Sequence, residues 1–187
     1  MADENFGATP CFWYYGILVL ILIIVGWVSI LIGYTEREAN PYVPKYQRGW
    51  PANANTSEYY VHSIIPYIVW TFFLLMFAWG AYHADCRDLS GERVQIYRIA
   101  YLTVIVLDVL ALFLFFIQHN VIAALVAHVL GLALLIGLIM LYSEINVADA
   151  WFAYPYLLYL TFFIYFFIYI IRMNANHPDM RNFLFAL

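Results

Sequence analysis

The sequence predicts an all-α integral membrane protein, a bundle of five transmembrane helices. Of the 187 residues, 66% are hydrophobic and only 11% are charged, and the mean hydropathy is +0.80. Soluble domains usually have about a quarter of their residues charged, so this composition excludes an ordinary soluble domain. Five apolar runs, each near the length that crosses a bilayer, account for the helices. Because a span in hydrocarbon must satisfy its own backbone amides, and no run alternates as a membrane barrel does, each is predicted to be helical.

The five runs are expected to form one membrane domain over residues 1–187. The first run is too long for a signal-peptide core and follows a start without Lys or Arg, so we expect it to stay in the protein. The turn at residues 118–120 is so short that the third and fourth helices should form an antiparallel hairpin. The predicted spans are about 12–32, 64–81, 99–117, 121–142 and 151–171, with a polar loop at 34–60 and shorter loops at 85–95 and 143–150.

The few basic residues limit the partners and suggest an orientation. The net charge is −4, and eight Lys and Arg leave no basic stripe, which argues against nucleic acid as a partner. Five of the eight fall on the side of the C-terminus and the long first loop, which favours the cytosolic or matrix-like side for both. The sequon at Asn55 is then expected to be unused, because it would not face a lumen.

Two cysteines, Cys11 and Cys86, fit neither a disulfide framework nor a zinc site. The predicted topology puts both on the side opposite the C-terminus. A bridge between them and two free thiols both remain open, and two free thiols are favoured because intracellular disulfides are rare. No metal site is expected.

Asp108 lies in the middle of the third predicted span. An ionisable group at that depth is costly unless it faces the bundle interior and finds a partner, so it is a candidate functional residue. His128 is the natural partner, because the two residues lie eleven before and nine after His119, a difference in depth of about 3 Å. The functional interpretation is a polar anchor for a ligand or a proton-accepting pair. The structural interpretation is a neutral Asp or an Asp–His hydrogen bond that locks the hairpin, and it is the favoured one.

Small residues recur at helical spacing along the first and fourth spans. In membranes such faces let helix backbones approach closely, because packing replaces the missing hydrophobic drive. We interpret them as helix-packing residues, and room for a ligand is the less favoured alternative. They are Gly26, Ser29 and Gly33 on the first span, and Ala123, Ala127 and Gly131 on the fourth.

The spacing of reactive residues indicates no catalytic site. The sequence has no nucleophile elbow, no Gly-rich phosphate loop and no pair of carboxylates within a span, so a non-enzymatic protein is expected. Glu144 and Asp149 flank the last short loop and are expected to be solvated. His62 and His83 lie at span ends and are expected to be interfacial.

Several short motifs follow one another along the chain. They are Trp50-Pro51 in the first loop, Val69-Trp70-Thr71 followed by Met76 and Gly80 in the second span, and Asn146, Ala148, Ala150, Pro155-Tyr156-Leu157-Leu158 and Asn174 at the end of the chain. Taken together, these motifs resemble the translocator protein (TspO/MBR) family, most closely in the last helix.

This resemblance implies a TspO-like five-helix bundle in a mitochondrial or bacterial membrane, which binds tetrapyrroles, sterols or related hydrophobic ligands between its helices. The ligand-binding residues would be Trp70, Asp108, His128 and Tyr159. The chain departs from the family pattern at the pocket. Asp108 stands where the family commonly has an Asn, and Ala111, three residues later, stands where a Trp is expected. Tyr159 also replaces a Trp. Phe163 replaces a small residue, and Phe167 replaces an Asn.

Bulky rings in place of small groups are expected to fill the cavity that a ligand would need. The leading hypothesis is therefore a structural accessory subunit of a larger membrane protein complex, with a mitochondrial membrane favoured. Its partners would be membrane lipids and other membrane subunits, and no cofactor is expected. The alternative is binding or transport of a hydrophobic ligand, in which case a tetrapyrrole or a lipid would be bound.

Overall fold

The computed structural model describes residues 8–35, 65–88, 92–118, 120–145 and 147–173. The regular structure in these ranges is entirely helical, and five stretches are long and apolar enough to cross a membrane. The predicted five-helix membrane bundle is therefore confirmed. The helices are α1 (Ala8–Thr35), α2 (Ile65–Asp88), α3 (Glu92–Phe116), α4 (Val121–Ile145), α5 (Val147–Trp151) and α6 (Tyr154–Met173).

Five packed pairs close the bundle into a ring. α1 packs on α2, α2 on α6, α6 on α4, α4 on α3, and α3 returns to α1. The hairpin pair α3 and α4 has the most extensive contact, as the short turn predicts. Large apolar side chains such as Ile17, Leu110 and Leu158 are exposed on the outer surface. The five membrane spans are α1, α2, α3, α4 and the last span, which contains α5 and α6. The exposed apolar side chains on these spans therefore face the hydrocarbon.

The turn between α3 and α4 is held by hydrogen bonds at both helix ends. The Asn120 amide donates to the Leu114 carbonyl at 2.9 Å, which closes the end of α3. The Asn120 side-chain oxygen accepts from the Ala123 amide at 2.9 Å, as an N-cap does. One residue thus ends one helix and begins the next, which fixes the hairpin.

The last span is broken where the sequence analysis predicted one continuous helix. Pro155 has no amide hydrogen and cannot continue the helical bonding of α5. Instead, Phe152 and Ala153 donate to the carbonyls of Asp149 and Ala150, three residues back, and α6 begins at Tyr154. Proline in the first turn of a helix loses nothing, because its amide would be unsatisfied there.

Two helices extend into the predicted loop at 85–95, since α2 ends at Asp88 and α3 begins at Glu92. The prediction that Asp149 is solvated is wrong: Asp149 is 4% exposed, because α5 packs against α4 and α2. Glu144 is exposed, and His83 is half-buried beside the rings of Trp79 and Tyr82.

The small residues lie mostly at helix contacts. A Cβ at Gly26 would lie 2.5 Å from the Trp70 ring, so α1 and α2 approach closely there. At Gly131 it would lie 3.7 Å from the Leu107 Cβ, in contact with α3. Ser29 and Ala127 are buried and Ala123 is half-buried. The surroundings of Gly33, like the side chains of Cys11 and Cys86, lie outside the described part of the chain.

Gly80 provides a test of the contact between α2 and α5. A Cβ at this position would lie 2.9 Å from the Asp149 carbonyl oxygen and 2.8 Å from the Phe152 Cβ. Because backbone must shift to make room, we expect Gly80→Ala to lower the free energy of unfolding by about 1–3 kcal/mol. Unfolding in mixed detergent micelles with increasing dodecyl sulfate measures this change.

Gly16→Ala is the matched control, because no atom lies within 4 Å of a Cβ at Gly16. Replacing an exposed helical glycine by alanine leaves stability unchanged or raises it by up to about 1 kcal/mol. Equal effects of the two substitutions would contradict the close contact between α2 and α5.

Candidate functional site

The centre of the bundle is organised around the carboxylate of Asp108, which is buried on α3. Its Oδ2 atom accepts a hydrogen bond from the Trp70 indole Nε1 at 2.6 Å and another from the Tyr156 hydroxyl at 2.6 Å. These bonds join α3 to α2 and to α6. Short hydrogen bonds to a carboxylate are among the stronger ones in proteins, so Asp108 fixes the relative positions of three helices.

His128 adds the fourth helix. Its Nε2 atom lies 3.1 Å from Asp108 Oδ1, and both side chains are shielded from the surface. The depth estimated from the sequence therefore brings the two residues together. The contact has the distance of an ion pair without the alignment of a hydrogen bond. The hydrogen bonds of Asp108 come from α2 and α6, which lie outside the α3–α4 hairpin that the sequence analysis considered.

Two residues of the second-span motif, Trp70 and Thr71, each form a hydrogen bond to another helix. Trp70 donates to Asp108, and the next residue, Thr71, accepts a hydrogen bond from the Trp27 Nε1 of α1 at 3.0 Å. The Trp70 ring also packs on Gly26 of α1. Consecutive residues of α2 thus hold neighbouring helices on two sides.

Aromatic rings surround the Asp108 and His128 pair. The Phe163 ring stacks on the His128 imidazole with centroids 5.9 Å apart, and the Phe167 ring meets the same imidazole edge-on at 5.1 Å. Both phenylalanines are buried. Tyr159 is buried too, with its ring 4.5 Å from Phe163 and parallel to Tyr156 at 6.3 Å. The rings occupy the space beside His128.

Several polar atoms at this centre have no hydrogen bond to any residue that the structure describes. They are Asp108 Oδ1, both ring nitrogens of His128 and the Tyr159 hydroxyl. Leaving a buried donor or acceptor without a partner costs about 1–3 kcal/mol. Native proteins rarely keep such groups without a reason, such as a function or a bound molecule.

A second polar cluster lies away from the centre, at the end of the bundle where α2 ends and α3 begins. Asp85 Oδ2 accepts from the Tyr15 hydroxyl at 2.8 Å and from Arg98 Nε at 2.7 Å, and Arg98 Nη2 lies 3.3 Å from Oδ1. Asp85 is buried, whereas 38% of the Arg98 side chain is exposed. The cluster joins α1, α2 and α3.

Sequence reasoning did not find this second cluster, or the role of Tyr156. It placed Asp85 in a loop, counted Arg98 only among the eight basic residues, and noted Tyr156 only as part of a motif. The helical pattern continuing past the apolar run is a signal that could have moved Asp85 and Arg98 onto helices. No sequence signal pairs Tyr15 with Asp85, seventy residues away.

A five-helix membrane bundle with this central cluster can now be compared with known families. The sequence profile of the TspO/MBR family matches residues 17–173. The chain belongs to the TspO/MBR family. The match covers most of the chain and confirms the resemblance drawn from the motifs, although Trp50, Pro51, Asn146 and Asn174 lie outside the described residues. No curated protein and no solved structure matched the sequence.

This member of the TspO/MBR family is thus an integral multi-pass membrane protein, with a buried acidic residue and a histidine at the centre of its bundle. Within the described ranges, no three residues among His, Cys, Asp and Glu lie close enough together to hold a metal ion. What the centre offers chemically is a set of hydrogen-bond acceptors and donors between aromatic walls.

Tyr156→Phe tests the central carboxylate. The substitution removes one of the two hydrogen bonds that Asp108 Oδ2 accepts and keeps the ring, so we expect it to lower the free energy of unfolding by about 1 kcal/mol. Tyr165→Phe is the control on the same helix, because Tyr165 is 63% exposed and a surface change of this kind has an effect within about 0.5 kcal/mol. Dodecyl sulfate titration measures the unfolding of both variants. Equal stability of Tyr156→Phe and Tyr165→Phe would refute the central role of Tyr156.

Proposed function

We propose that this TspO/MBR protein binds a hydrophobic ligand inside its helix bundle, at Asp108 and His128, without catalysing a reaction. The observation that carries the proposal is a pair of ionisable side chains, fully buried in the membrane interior, whose facing atoms lack hydrogen bonds to the described residues. Ionisable groups at this depth are expensive and usually serve a function.

The chemistry of the surrounding residues favours an apolar molecule that carries a polar group. Trp70, Phe163 and Phe167 provide aromatic walls, and Asp108 Oδ1, His128 and the Tyr159 hydroxyl provide polar partners. Ligand sites commonly combine apolar walls with a few polar groups that fix orientation. The ligand classes that the family resemblance implies, tetrapyrroles and sterols, have this character.

The rings of Phe163 and Phe167 lie against His128, so a ligand must displace at least one of them to reach the pair. A protein whose binding-competent state is only partly populated binds more weakly, in proportion to that population. Removing one ring should therefore strengthen binding. A filled interior is thus compatible with ligand binding.

Binding is tested with protein in lipid nanodiscs, titrated with protoporphyrin and, separately, with a photoactivatable sterol. We expect Asp108→Asn and His128→Phe to weaken binding of the accepted ligand about tenfold, which corresponds to about 1.4 kcal/mol, by removing a polar partner. Phe167→Ala should strengthen binding about tenfold, because less of the interior must be rearranged.

Tyr165→Phe, on the exposed side of α6, should leave the affinity unchanged. If neither the natural chain nor Phe167→Ala shows saturable binding of either ligand, the proposal is wrong. If ligand binds but Asp108→Asn and His128→Phe behave like Tyr165→Phe, the ligand occupies another part of the protein.

A second candidate function is that of an accessory subunit in a larger assembly of the mitochondrial membrane. The specific observation is a row of exposed apolar and aromatic side chains on the last span. Their spacing of three and four residues is that of a packing seam between helices. They are Trp151, Tyr154, Leu158, Phe162 and Tyr165.

The assembly is tested by native electrophoresis of protein extracted from its own membrane with a mild detergent. If the row binds another subunit, Leu158→Ala with Tyr165→Ala should shift the protein from a large particle to a much smaller one. Val129→Ala with Leu130→Ala, at exposed positions of α4, is the control and should cause no shift. A natural chain that migrates as a monomer would exclude this role.

A further inference from the structure

A groove of about 140 Å³ runs between α1 and α2, away from the Asp108 site. Ala78, on its wall, lies about 12 Å along α2 from Trp70 at the helical rise. The lining is almost entirely apolar. It includes Tyr15, Gly16 and Val19 from α1, and Leu75, Ala78 and Trp79 from α2.

This groove opens on the outer surface of the bundle. Trp79 on its wall is 51% exposed, and no atom lies within 4 Å of a Cβ at Gly16. Because both helices are membrane spans, the opening faces hydrocarbon. An empty groove would deprive its walls of dispersion contacts, so an apolar chain from the bilayer is the occupant that the walls favour.

The groove ends at the polar cluster of Tyr15, Asp85 and Arg98. Ala78, Tyr82 and Asp85 follow one another at helical spacing on one face of α2, and the Tyr15 hydroxyl that bonds Asp85 belongs to a residue of the groove wall. The apolar groove and the charged cluster are therefore continuous. The cluster lies at the ends of the predicted spans, where lipid head groups lie.

Arg98 gives this end an anion-binding character. Two of its guanidinium nitrogens contact Asp85, while 38% of the side chain stays exposed. A guanidinium has five N–H donors in a planar fork, and phosphate accepts such donors well. Asp85 and the Tyr14 ring, whose centroid lies 5.6 Å from the guanidinium carbon, can thus orient the guanidinium while part of the Arg98 side chain remains exposed.

We propose that the groove binds one phospholipid, with a segment of one acyl chain between α1 and α2 and the phosphate on Arg98. A cavity of about 150 Å³ holds a molecule the size of benzene, so the space between the two helices suits a short segment of an acyl chain. The site is separate from the one proposed for the hydrophobic ligand and does not depend on it.

The acyl-chain contact is tested with the full chain in phosphatidylcholine nanodiscs that contain a phospholipid with a photoactivatable group in its acyl chain. Peptide mapping by mass spectrometry then locates the label. We expect labelling of α1 and α2 at the groove, and a loss of about tenfold in Gly16→Leu, whose side chain fills the opening. Gly137→Leu is the matched control, because Gly137 is also exposed with no atom within 4 Å of a Cβ.

The head-group contact is tested by competition between the labelled phospholipid and a diacylglycerol with the same chains, which lacks the phosphate. The natural chain should prefer the phospholipid by about tenfold. Arg98→Gln combined with Asp85→Asn removes both charges together and avoids a buried unpaired carboxylate. This double variant should keep the label in the groove and lose the preference.

Equal labelling of Gly16→Leu and Gly137→Leu would overturn the groove as the binding site. A preference for phospholipid that survives the double variant would overturn Arg98 as the phosphate partner. If the double variant loses all labelling, thermal unfolding in the nanodiscs shows whether it is folded. A folded variant without label contradicts the chain contact. If it is unfolded, Arg98→Gln alone replaces it, and a phospholipid preference that survives in this variant overturns Arg98 as the phosphate partner.

Discussion

One buried carboxylate holds four helices of the bundle in register. Asp108 on α3 accepts hydrogen bonds from α2 and α6 and lies against His128 on α4, while Trp70, one of its donors, rests on Gly26 of α1. In a membrane the surrounding lipid is as apolar as the helix surfaces, so hydrophobic burial does not choose between arrangements. Directional polar contacts and close packing at small residues choose instead, and Asp108 provides contacts to three other helices.

The polar atoms at this centre have opposite effects on the stability of the bundle. The bonds from Trp70 and Tyr156 stabilise the bundle, whereas the facing atoms of Asp108 and His128 have no hydrogen bond to the described residues. A protein selected only for stability would satisfy or remove those atoms, because each costs free energy. The buried rings of Phe163 and Phe167 lie against His128. A ligand that displaced one of these rings would gain polar partners at the expense of packing.

Much of the fold follows from patterns along the chain. The lengths of the apolar runs gave the five spans, and the short turn gave the hairpin that Asn120 caps. Counting residues from that turn predicted that Asp108 and His128 lie at a similar depth in the membrane. Burial of Asp149 and Asp85 was missed, because a charge outside an apolar run looks solvated until the packing of α5 and the pairing with Arg98 are known. The break before α6 was also missed, although Pro155, which cannot continue the helical bonding of α5, is a signal for it in the sequence.

The sequence by itself determined the number of spans, the family and the presence of an ionisable group in the membrane, because these depend on composition, length and local order. The sequence also indicated His128 as a partner of that group, but only the tertiary structure decided which residues donate hydrogen bonds to it. Tyr156 and Trp70 are 48 and 38 residues from Asp108, and Tyr15 is 70 residues from Asp85. Such pairs form when helices pack in one rotation about their axes. That rotation depends on side-chain fit across the whole bundle, which no single helix encodes.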